Sequence, residues 1–73
     1  MTETTETFYI KSRTPIELAR VIEIEQLGNE IHIKMYINNI PGDTRTENKV
    51  FTYSSDKEAE IDYKDFKRAL DDS

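Results

Sequence analysis

Between residues 16 and 26 the apolar side chains Ile16, Leu18, Ile22 and Ile24 occupy even positions, with Glu23 and Glu25 on odd ones. From 31 to 37 the apolar set moves to odd positions, Ile31, Ile33, Met35 and Ile37, alternating with His32, Lys34 and Tyr36. A period of two marks strands with one buried face. Leu27-Gly28-Asn29-Glu30 lies between them, and Gly-Asn is a favoured two-residue hairpin loop. Pairing Leu27 with Glu30 predicts a register: Ile24 opposite Ile33, Ile22 opposite Met35, Glu23 opposite Lys34, Glu25 opposite His32 and Val21 opposite Tyr36. Apolar residues then meet on one face and opposite charges on the other, and each such pair contributes roughly 0.2–1 kcal/mol. Arg20 is the exception. It falls on the apolar face opposite Ile37, and its place is the sheet margin, with its stem packed and its head in water.

Residues 7–13 (TFYIKSR) are rich in aromatic and β-branched side chains and predict a first strand. Thr14-Pro15 should end it, because proline removes a ladder donor. Residues 38–48 have no period, and Pro41-Gly42 suits the centre of a type II turn. Residues 49–53 predict a further strand, with Phe51 and Tyr53 facing one way and Val50 and Thr52 the other. The C-terminal stripe of Tyr63, Phe66 and Leu70 has helical spacing. Two helix starts compete. Ser55 with Glu58 forms a capping box; alternatively Asp62 is the N-cap and Ile61 staples onto Phe66. The second is preferred because it gives Ile61 a place. Lys67 and Arg68 near the end suit the helix dipole.

These elements predict an α+β fold: a small antiparallel four-stranded β-meander with one C-terminal amphipathic helix packed on one face. The 73 residues form a single domain, with 1–6 as a disordered leader and 7–73 as the ββββα core. A domain this small buries only about 60% of the surface its unfolded chain exposes. Without cysteine it has neither disulfides nor thiolate metal sites. That usage and the absence of an apolar run of about 20 residues point to the cytoplasm rather than to a membrane.

The formal net charge is −5, which disfavours nucleic acid and anionic membranes as partners at long range. His32 is the only histidine, and it sits mid-strand beside Lys34 with no serine elbow or cysteine to serve. Asp56, Glu58, Glu60 and Asp62 alternate, but the central glycine of a calcium loop is missing. No phosphate-cradling glycine loop is present. The expectation is therefore no enzyme, no metal and no cofactor. Tyr9, Val21, Tyr36 and Val50 leave apolar surface on the polar side of the sheet, as interfaces do. With Arg45 and the acids Asp56, Glu58, Glu60 and Asp62 they are the candidate partner-binding residues.

The function these features suggest is a non-enzymatic small acidic protein-interaction module. A phage or mobile-element-type regulator or inhibitor of a basic target is its sharper form. Homodimerisation is the contact considered first, because a dimer eases the small-core problem. The alternative is a single-stranded nucleic-acid-binding domain using the sheet face, with Lys11, Arg13, Arg20, Arg45 and Lys49 beside Tyr9, Tyr36 and Tyr53.

Overall fold

A computed structural model describes residues 6–38 and 40–72. Five antiparallel strands and one helix follow in the order β1 (Thr7–Ile10), β2 (Thr14–Glu17), a 3-10 turn (Leu18–Arg20), β3 (Val21–Leu27), β4 (Glu30–Tyr36), β5 (Thr46–Thr52) and α1 (Asp56–Asp72). The fold is α+β as expected, but the strands form two sheets rather than one four-stranded meander. β1 and β2 make a hairpin, and β3-β4-β5 make a three-stranded sheet. Of the anticipated leader, residues 1–5 lie outside the described residues. The Glu6 carbonyl accepts the Leu18 N–H at 3.0 Å.

The extra strand, β2, takes Thr14-Pro15, expected to end the first strand, and Ile16-Glu17, expected to open the second, and the 3-10 turn Leu18–Arg20 interrupts the strand expected over 16–26. The β1–β2 turn is Lys11-Ser12, with φ of 54° and 59°, closed by the Arg13 N–H on the Ile10 carbonyl. Two left-handed residues without glycine or asparagine give no turn signal in the sequence, and each costs of the order of 1 kcal/mol. Pro15 does not break the chain. It sits inside β2 opposite Tyr9. The Leu18–Glu6 bond sets the alternation so that Phe8/Ile16 and Ile10/Thr14 are the hydrogen-bonded pairs. The missing proline N–H therefore falls where the ladder needs none.

The β3–β4 hairpin keeps the expected register from its loop as far as Glu23. Leu27, Glu25, Ile24 and Glu23 face Glu30, His32, Ile33 and Lys34. Gly28, at φ 63°, supplies the positive dihedral at the first loop position. Beyond Glu23 a β-bulge shifts the pairing and Val21 lies opposite Met35. One extra residue changes which face a side chain takes. Val21 therefore packs against the core instead of pairing with Tyr36, and Ile22 is left exposed.

The core comprises Ile10, Ile16 and Leu18 from the hairpin side, Ile31, Ile33 and Met35 from β4, Tyr53, and Ala59 and Phe66 from α1. The hairpin and helix thus share one covering layer on one face of the three-stranded sheet. Phe8 stacks on Phe66 with ring centroids 4.7 Å apart. The helix starts at Asp56, not Asp62: the Glu58 N–H donates to Ser55 Oγ at 3.2 Å. This longer helix buries Ala59 in line with Phe66, while Ile61 stays exposed instead of stapling. Its last turn carries no basic residue, so Lys67 and Arg68 lie one turn too early to complement the helix end.

Candidate functional site

The bulge end of the sheet carries the connection from β4 to β5. Ile40, Pro41, Gly42 and Asp43 form the expected type II turn: Gly42 has φ 89°, and the Asp43 N–H donates to the Ile40 carbonyl at 3.1 Å. The Asp43 carboxylate organises the rest. Its Oδ1 accepts the Arg45 backbone N–H at 3.1 Å and Arg45 Nε at 3.0 Å. Its Oδ2 accepts Arg45 Nη2 at 2.7 Å and Asn38 Nδ2 at 2.8 Å. The Arg45 guanidinium first, then Asn38 and the Arg45 amide, hold the Asp43 carboxyl well below the usual carboxylate range, and Asp43 in turn raises Arg45. Asn38 Oδ1 accepts the Ile40 N–H at 3.0 Å, and the Ile37 N–H donates to the Arg45 carbonyl at 3.0 Å.

With these polar groups paired inside the loop, Ile40 is 61% exposed. It borders a shallow depression of about 290 Å³ with Ala19, Tyr36 and Pro41 among its walls. Tyr36 is 38% and Ile37 40% exposed. Arg20 braces this end from below. Its Nε donates to the Tyr36 carbonyl at 2.9 Å and its Nη2 to the Ile37 carbonyl, with Glu17 at 3.0 Å and Glu47 at 3.5 Å. Its side chain is only 18% exposed. The expected water-facing head is instead bonded to the end of β4.

No described residue packs over the sheet face opposite the core, where Glu23, Glu25, Lys34, Tyr36, Asn48 and Val50 are exposed. Register arranges it in rows: Tyr36/Thr46, then Glu23/Lys34/Asn48, then Glu25/His32/Val50. Tyr36 and Val50 share this face, but about 14 Å of strand separates their rows. The charged middle row lies between them, so the expected aromatic patch is divided. His32 Nε2 bonds to Glu30 Oε1 at 3.0 Å along its own strand, rather than to its cross-strand neighbour Glu25. Tyr9 is exposed on the hairpin.

The four alternating acids do not form one surface. A helix turns about 100° per residue, so Asp56 and Glu60 point one way and Glu58 and Asp62 nearly the opposite way. Glu60 pairs with Lys64 at 3.2 Å. Asp62 Oδ2 accepts the Tyr53 hydroxyl at 2.6 Å and the Lys11 N–H at 2.8 Å. Lys11 Nζ reaches the Thr52 carbonyl at 2.8 Å and lies 5.3 Å from the Tyr53 ring centroid. This clasp holds the left-handed turn against β5 and α1. Burial, then the bond to Asp62 and its charge, push the Tyr53 hydroxyl well above the usual tyrosine range. Glu58, Ile61 and Ser12 line a second shallow depression beside it. Among the described residues no cluster of three or more His, Cys, Asp or Glu is placed to hold a metal ion, and no helix is long and apolar enough to cross a membrane.

Of the residues singled out from sequence, Tyr36 and Arg45 come together at the loop end. Val50 and Tyr9 stay exposed elsewhere, Val21 belongs to the core side, and Asp62 belongs to the clasp. Ile40 was not singled out. Its one sequence signal is its place directly before Pro41-Gly42, at the first position of the turn. No family model matches the chain, and no curated protein or solved structure matches it.

Proposed function

We propose that the chain is a non-enzymatic protein-interaction module whose contact surface is the loop end, with Ile40 as anchor and Tyr36, Ala19 and Pro41 around it. The observation that carries this reading is the exposure of Ile40 on a turn whose polar groups are bonded to one another. An apolar anchor whose backbone is held by hydrogen bonds gives up less conformational freedom on binding, and anchors at the centre of a contact dominate its energy. The acidic balance favours a partner with a basic rim. A regulator or inhibitor of a basic target is the sharper form of this reading.

The single-strand nucleic-acid reading has less support. Three cations it would recruit, Arg20, Arg45 and Lys11, are bonded to carbonyls or carboxylates, and the open sheet face carries Glu23 and Glu25. The test is capture from nuclease-treated lysate of the source cell with the wild-type chain and with Ile40→Asp as baits. A discrete protein retained by the first and lost by the second, at equal thermal stability, is the expected result. Capture profiles that do not differ, or capture that requires nucleic acid, would overturn the proposal.

A further inference from the structure

β5 is an edge strand, and its pairing with β4 determines which of its backbone groups are free. The Tyr53 N–H donates to the Asn29 carbonyl at 2.8 Å, and the Ile37 N–H to the Arg45 carbonyl at 3.0 Å. Both lie on the unbroken β4–β5 register. In an antiparallel ladder hydrogen-bonded pairs alternate, so Glu47, Lys49 and Phe51 point their N–H and C=O groups at β4. Thr46, Asn48, Val50 and Thr52 point theirs outward. The Thr52 carbonyl is taken by Lys11 Nζ, which confirms the alternation and caps that end. Thr46, Asn48 and Val50 are exposed.

We propose that two copies of the chain pair along β5, antiparallel, about a two-fold axis at Asn48, to form a continuous six-stranded sheet. Outward groups must face outward groups, and this restricts the register to steps of two. Charge then selects among the steps. Centring the axis on residue 47 or 49 sets Glu47 against Glu47 or Lys49 against Lys49, which is repulsive. Centring it on Asn48 sets Glu47 beside the partner's Lys49 and Lys49 beside the partner's Glu47, in the closer, non-hydrogen-bonded positions. Thr46 then bonds to the partner's Val50, and Asn48 to the partner's Asn48. The contact is self-complementary, as a two-fold interface requires. The other edge, β3, carries the Ile22 bulge, a device that turns an edge away from pairing. β5 carries no register shift.

The absence of cysteine allows a clean test of both the dimer and its register. Asn48→Cys should form a disulfide-linked dimer on mild oxidation, because hydrogen-bonded partners at about 5.5 Å between Cα atoms lie within disulfide reach. Thr46→Cys or Val50→Cys alone should not, but an equimolar mixture of the two should give the mixed dimer. In sedimentation analysis Val50→Pro removes only an outward N–H and should weaken association at least tenfold, with the monomer still folded by circular dichroism. A wild-type mass of one chain at every concentration, no cross-link at position 48, or equal cross-linking of all three single variants would overturn the proposal. The mass measurement involves neither Ile40 nor lysate, so its failure is separable from failure of the loop-end reading.

Discussion

Asp62→Ala tests the clasp that holds the hairpin to the rest of the chain. The Asp62 carboxylate accepts two bonds, from Tyr53 Oη at 2.6 Å and from the Lys11 N–H at 2.8 Å. Hydrogen bonds to charged groups contribute about 1.5–3 kcal/mol each. Asp62 is half-buried, so the lower figure applies and the pair sums to about 3 kcal/mol. Alanine returns about 0.5 kcal/mol of helix propensity. The expected net loss is about 2–3 kcal/mol, in a domain whose total stability is roughly 4–11 kcal/mol. At this size that lowers Tm by about 10–20 °C. Urea denaturation followed at the helix signal reads it directly, with an unchanged m-value as the check on two-state behaviour. A double-mutant cycle with Tyr53→Phe isolates one of the two bonds, and a coupling of about 1.5 kcal/mol is expected. Losses under about 0.5 kcal/mol, or additivity of the two changes, would refute the clasp as a source of stability.

Three further outcomes follow from the geometry. Ser55→Ala removes the oxygen that accepts the Glu58 N–H and should cost about 1 kcal/mol, whereas Asp62→Asn should leave the helix start unchanged by amide protection. Ser12→Gly should stabilise the chain by up to about 1 kcal/mol in urea, because glycine adopts the left-handed conformation of Ser12 without steric strain; a destabilised variant would argue against that conformation. Tyr53 is neutral in the fold and its hydroxyl titrates above the ordinary tyrosine value near 10. Its contribution is therefore complete below that pH and is lost as pH rises from there toward its folded value. Tyr53→Phe should flatten this alkaline decline, and an unchanged pH profile would show that other groups cause it.

The central hairpin was legible because three signals agree: alternation on both strands, a turn dipeptide and cross-strand charge. The helix stripe was legible from the spacing of Tyr63, Phe66 and Leu70 alone, and of its two weighed starts the one not preferred, at Ser55, is the one the structure has. Asp62 looks like an N-cap, yet its carboxylate serves residues 9 and 51 positions away, a use local pattern cannot reveal. The bulge at Ile22 leaves the alternation of Ile22 and Ile24 intact in sequence and only its tertiary outcome shows that Val21 is the core-side residue. The Lys11-Ser12 turn lacks the residues that normally mark left-handed backbone. The loop end was seen only in part, since Pro41-Gly42 announces a turn but nothing announces the Asp43–Arg45 clamp that leaves Ile40 outside.

The two sheets share no ladder, and this has a kinetic consequence. β3, β4 and β5 are joined through neighbouring segments, so they close small loops and assemble quickly, whereas the first hairpin docks on β5 and α1 through contacts distant in sequence, such as Phe8 on Phe66 and Lys11 on Thr52 and Asp62. The hairpin should dock last and open first, as a unit. Native-state hydrogen exchange would then show the amides of β1 and β2 releasing together at a lower free energy than those of β4, so the earliest route for a protease into this chain runs through its amino-terminal quarter.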